Sequence, residues 1–146
     1  MSPLELFKAY AARFEEVFVS DDWSRLEPFF HPDAVYEMVG EEEPLVGRDQ
    51  VFAGLKRSLD SGDRLFDTRR LNLLEGPEVK GDTLWFSWRA DYTWGDLPKI
   101  SLVGEETITF EGHVIVKMVD RCTKETIVAW QEWMALHGDK LKSEKS

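Results

Sequence analysis

The sequence predicts an α+β fold, a curved mixed or antiparallel sheet wrapped around three N-terminal helices and closing over them as a cone. Three observations carry that prediction. Apolar residues recur at three- and four-residue steps through about residue 59 and at every second residue afterwards, a change from helix to strand period. A length of 146 residues suits one domain, spanning residues 3–137, and neither a repeat nor a linker divides it. The longest unbroken apolar runs are four residues, such as Ile127 to Trp130, far short of the roughly 20 that a membrane helix needs.

Each element follows from its own pattern. Leu4, Phe7, Ala11, Phe14 and Phe18 share one helical face, which predicts a first helix over about 4–19. Asp21-Asp22 caps a short second helix carrying Trp23, Leu26, Phe29 and Phe30, and His31-Pro32 ends it. Ala34 to Val39 reads as a strand, Glu41-Glu42-Glu43-Pro44 as a solvated loop, and residues 48–59 as a third helix burying Val51, Phe52, Leu55 and Leu59. Leu71 and Leu73 begin a strand that Gly76-Pro77 interrupts, and Leu84, Phe86, Trp88, Ala90, Tyr92 and Trp94 alternate along the next. Ile108, Phe110, Val114, Val116 and Met118 form a further strand, residues 120–125 a polar turn, and residues 127–136 a last strand. From Gly138 to Ser146 the chain is charged or small apart from Leu141 and reads as a flexible tail.

Composition narrows the function. Eighteen basic against 28 acidic residues leave a net charge of −10, which repels phosphate backbones and anionic lipid. No nucleic acid and no membrane partner is expected; a small neutral or cationic molecule or a protein partner fits better. Cys122 is the single cysteine, so no internal disulfide forms, and with no leader pattern in Met1 to Glu5 the expected location is cytoplasmic. His31, His113 and His137 lack metal-site spacing, no glycine-rich loop cradles a phosphate, and neither a metal nor a cofactor is expected.

Several stretches taken together resemble the nuclear transport factor 2-like superfamily of cone-shaped, cystatin-like α+β barrels. They are Phe30-His31-Pro32-Asp33-Ala34-Val35-Tyr36, Leu45-Val46-Gly47-Arg48-Asp49-Gln50-Val51, Thr109-Phe110-Glu111-Gly112-His113 and Thr126-Ile127-Val128-Ala129-Trp130-Gln131-Glu132-Trp133. Its members include SnoaL-like polyketide cyclases, ketosteroid isomerases, scytalone dehydratases and limonene epoxide hydrolases, so the fold does not select an activity. The ketosteroid isomerase positions hold Met38, Phe14 and Val114 here, none able to transfer a proton. Similarity to the limonene epoxide hydrolases implies catalytic roles for Arg89, Asp91, Glu132 and Tyr36, with two departures: Met38 replaces an asparagine and Glu132 an aspartate. In that mechanism one carboxylate takes a proton from water, a second protonates the epoxide oxygen, and the arginine bridges them.

Two readings of the same residues follow. If the apolar set Leu84 to Trp94 lines the core, Arg89 and Asp91 form an ordinary ion pair on the opposite face. If both faces are covered, as a dimer through the outer sheet face would arrange, they join Glu132 in a buried triad. An apolar pocket walled by Phe14, Phe18, Met38, Phe52, Val114, Val116 and Trp130 would hold a small hydrophobic molecule. The chain is then a cofactor-free acid–base enzyme or a non-catalytic binding or dimerisation module.

Overall fold

The computed structural model describes residues 2–40 and 43–141, so Glu41 and Glu42 of the acidic loop and positions 142–146 of the expected tail lie outside the described residues. Helix α1 runs Pro3–Ser20, with the Ser2 hydroxyl accepting from the Glu5 amide at 3.2 Å and proline in the first turn, where its missing N–H costs nothing. It buries Leu6, Tyr10 and Val17. The second helix is a 3-10 segment, Trp23–Phe29, carrying Pro28, and only Leu26 of it is buried. Strand β1 (Phe30–Met38), the short β2 (Leu45–Val46) and helix α2 (Arg48–Ser61) follow, the last burying Val51, Phe52 and Leu59.

Four long strands complete a six-stranded sheet: β3 (Thr68–Lys80), β4 (Thr83–Thr93), β5 (Ile100–Glu111) and β6 (Val114–Cys122). The order is β2-β1-β6-β5-β4-β3, antiparallel throughout except for the parallel β1–β6 pair. The sheet is curved and unclosed. Its register lays the inward side chains out in transverse rows. Leu84, Ile108, Met118 and Tyr36 are cross-strand neighbours, all at or below 9% exposure. The next row is Phe86, Glu106, Asp120 and Met38, and the one after it Trp88, Gly104 and Cys122.

Several expectations change here. The expected strand through Ile108 and Met118 is two strands, because Gly112 (φ 62°) and His113 turn the chain between β5 and β6. A bulge between Phe110↔Ile115 and Thr109↔Lys117 inserts one extra residue into β6. Ile115, fully buried, therefore takes the inward position, and Val114 and Val116 are only partly buried and outside the core. Strand β6 also continues through Asp120 to Cys122, where the sequence reads as a turn.

The last expected strand is a helix, α3 (Lys124–Leu141). Thr123 starts it by accepting from the Thr126 amide at 3.1 Å. Its nearly continuous apolar run hides a helical face of Thr126, Trp130, Trp133, His137 and Leu141. The helix packs against β5, and Leu141 is 6% exposed, so residues 138–141 belong to the packed fold and not to a tail. Two apolar clusters result. One gathers α1, α2 and the first inward row around Tyr10, Phe30, Phe52 and Ile108; the other gathers Phe66, Tyr92 and Ile100 beneath Trp133 of α3. Each fully buried leucine or isoleucine among them stabilises the fold by roughly 1.5–3 kcal/mol.

Candidate functional site

The row next to the closed one carries the chemistry. Glu106 of β5 and Asp120 of β6 are direct cross-strand partners on the concave face, between Phe86 of β4 and Met38 of β1. The Tyr36 hydroxyl donates a short hydrogen bond to Asp120 Oδ2. Asp120 Oδ1 is wholly buried and accepts from no N–H or O–H of the described residues. The Glu106 carboxyl stands beside it. Burial first, and the Asp120 charge second, push the Glu106 proton well above the usual carboxylate range.

Two tyrosines and a thiol feel the same charge. Burial foremost, then Asp120, raises the Tyr36 phenol far above its ordinary value, and Tyr10 on α1 is raised by burial, then Glu106 and Asp120. Both stay protonated donors at any physiological pH. Cys122, one row further along β6, is raised by burial and by Asp120, which suppresses thiolate chemistry. The concave row thus offers one proton-holding acid, one carboxylate acceptor and neutral hydroxyls, within aromatic walls that include the Phe7–Phe86 contact at 4.9 Å between centroids.

The structure distributes the sequence candidates unevenly. Tyr36 stands at the carboxyl pair. Phe52 is buried in the first cluster, with Phe14 and Met38 packed against it, whereas Trp130 belongs to the second. Phe18 lies under the Arg69 guanidinium, 4.5 Å from its ring centroid, at a rim where Arg69 also binds Asp63 and Glu15. Arg89 and Asp91 do pair, at 3.2 Å, but on the convex face, because the buried Ala90 and Tyr92 take the concave one. Asp91 there also accepts from Ser101 at 2.5 Å and Asn72 at 3.1 Å. Glu132 is exposed on α3, so the expected triad with Arg89 and Asp91 is not assembled: a helix, not a neighbouring strand, carries it.

Glu106 and Asp120 escaped the sequence reading. A signal for both was present, since Glu106 stands two residues before the inward Ile108 and Asp120 two after the inward Met118. A further convex-face cleft of about 430 Å³ is lined by Glu75, Ser87, Glu105, Arg121 and neighbouring residues. Among the described residues no three His, Cys, Asp or Glu side chains gather as a metal site, and no helix is long and apolar enough to cross a membrane.

Comparison with known proteins agrees with this architecture. No curated protein sequence matches the chain. Among solved structures, Bal32a from a soil-derived mobile gene cassette superposes with a TM-score of 0.66 at 17% identity, over 90% of this chain and 98% of that one. A Shewanella denitrificans OS-217 protein called a SnoaL-like polyketide cyclase gives 0.64 at 16% identity, covering 86% and 96%. TerC, co-crystallised with polyporic acid, gives 0.63 at 20% identity, covering 91% and 98%. At these identities the likeness shows the fold alone. The sequence pattern of the SnoaL-like domain matches residues 11–126, most of the chain, and the protein belongs to the SnoaL-like domain family of the nuclear transport factor 2-like superfamily.

Proposed function

We propose that the chain binds a small apolar molecule against the concave row and moves protons on it with the Glu106–Asp120 pair. The observation that carries this reading is the pair itself: two carboxyls directly opposite one another inside an aromatic half-cone, one held protonated and the other aligned by Tyr36. Neighbouring rows support a ligand space. Leu84, Ile108 and Met118 are closed, whereas Phe86, Trp88, Glu106, Asp120 and Met38 each retain accessible surface. Structural neighbours that include a protein called a polyketide cyclase and one co-crystallised with polyporic acid are in keeping with a small organic ligand.

The chemistry follows from protonation state. Glu106 gives its proton to a substrate oxygen as that oxygen gains electron density, and Asp120 takes one from a carbon or from an attacking water. The proton now on Asp120 returns to Glu106, its direct cross-strand neighbour. One proton is given and one taken, so the cycle closes for an isomerisation, a cyclisation or a hydration alike. Tyr36 holds Asp120 in place through its Oδ2.

Two probes test the reading. Exchange of the acidic C–H of 2-tetralone in D2O reports proton abstraction, and hydrolysis of styrene oxide reports water activation. The wild type should accelerate at least one above buffer, and Asp120→Asn and Glu106→Gln should each return it to the buffer rate. Ligand binding that survives both substitutions with no acceleration in the wild type would favour a binding module instead. On the convex face, where no helix among the described residues packs, we propose pairing with a second copy.

A further inference from the structure

Trp88 is the inward side chain on β4 one row beyond Phe86, directly opposite Gly104. The register puts Gly104 between Trp88 on one side and Cys122 on the other. A Cβ built on Gly104 would meet Trp88 Cζ2 at 2.7 Å and Cε2 at 3.1 Å, and the Arg121 carbonyl oxygen at 2.6 Å. Only a residue without a side chain lets the indole lie against β5 here, because 3.0 Å is closer than real Cβ atoms approach. The indole therefore leans from β4 across the middle strand and occupies space that a side chain at 104 would otherwise fill.

That position lies immediately beside the acid pair. Glu106 and Asp120 form the adjacent row, and Trp88 keeps accessible surface while packing against the second cluster. Beyond it the concave face is closed by Ala90, 1% exposed, and by Phe66 and Tyr92 beneath Trp133 of α3. Any ligand seated on the pair thus meets the indole before it reaches the α3 end.

We propose that Trp88, laid against Gly104, is the specificity-determining wall of the concave site and sets how far a ligand extends from the acid pair toward α3. The proposal rests on the ligand space assigned above. Its consequence is a size limit: shrinking Trp88 opens room between the carboxyl row and Ala90.

Phenol and 2-naphthol serve as probes, since each presents one hydroxyl to the carboxyls and they differ by one fused ring. Calorimetry gives the ratio of their dissociation constants for the wild type, Trp88→Phe, Trp88→Ala and a convex-face control, Trp85→Phe, with circular dichroism confirming the fold of each. Trp88→Phe should move the ratio at least fivefold toward 2-naphthol, Trp88→Ala further, and Trp85→Phe not at all. Binding of phenol by the wild type with a ratio unmoved in both folded Trp88 variants would overturn the role of Trp88 and leave the ligand space standing. Failure of the wild type and both variants to bind either probe would overturn the ligand space and this wall with it. The milder Trp88→Phe keeps the test decisive should the alanine variant not fold.

Discussion

A buried carboxyl that keeps its proton leaves a mark on stability that Glu106→Gln should erase. In the folded chain, burial foremost and Asp120 second hold the Glu106 proton well above the ordinary carboxylate range, whereas in the unfolded chain it leaves near pH 4.3. Between those limits the folded state binds one proton more than the unfolded state, so stability falls as pH rises. The contribution is complete below about pH 4.3 and disappears as pH climbs through the folded value. One proton corresponds to a slope of about 1.4 kcal/mol per pH unit. Glutamine preserves the shape but binds no proton. Urea unfolding at half-unit steps from pH 5 to pH 8 should show the wild type losing about 1.4 kcal/mol per unit relative to the variant while the folded chain holds the proton. The variant should gain on the wild type as pH rises. Parallel curves across the whole range would refute the proton held on Glu106.

Other consequences are simpler to measure. Tyr36→Phe removes the donor to Asp120 Oδ2 and should cost about 1–3 kcal/mol in a denaturant melt, with proton exchange on 2-tetralone slowed alongside. On the convex face, Arg89→Ala should shift stability by about 1 kcal/mol or less, since its side chain is 42% exposed. Asp91→Ala should cost more, because Ser101 and Asn72 lose their acceptor; equal melts for the two would show that the network contributes nothing. Sedimentation at micromolar concentration should return twice the chain mass if the convex faces pair, and a monomer persisting at millimolar concentration would count against that interface.

The architecture was legible in the chain because its signals are local. Leu4, Phe7, Phe14 and Phe18 mark a helix, and Leu84 through Trp94 mark a strand, by spacing alone. The same alternation left Arg89 and Asp91 either as a pair opposite the apolar set or as members of a buried triad, and the structure places them as the pair. Where spacing was ambiguous the reading failed. Residues 127–136 are apolar at almost every position, a run that suits a buried strand or a helix equally, and only packing of Trp130 and Trp133 against Phe66 decides for the helix. The inserted residue in β6 that turns Ile115 inward and displaces Val114 and Val116 leaves no mark in composition, since all three are β-branched and apolar.

The carboxyl pair belongs wholly to tertiary structure. Glu106 and Asp120 are 14 residues apart, and their opposition depends on the register that the bulge and the Gly112 turn impose on β5 and β6. Sequence alone determined that each could share a face with buried neighbours. Which face closes, and whether an acid there finds a partner, depends on what arrives from other elements: Tyr36 from β1 and Tyr10 from α1. A lone inward carboxylate is costly, so alternation reads such a residue as solvated. Two of them side by side beneath two tyrosines, one held protonated by burial, are stable only once the cone has formed around them.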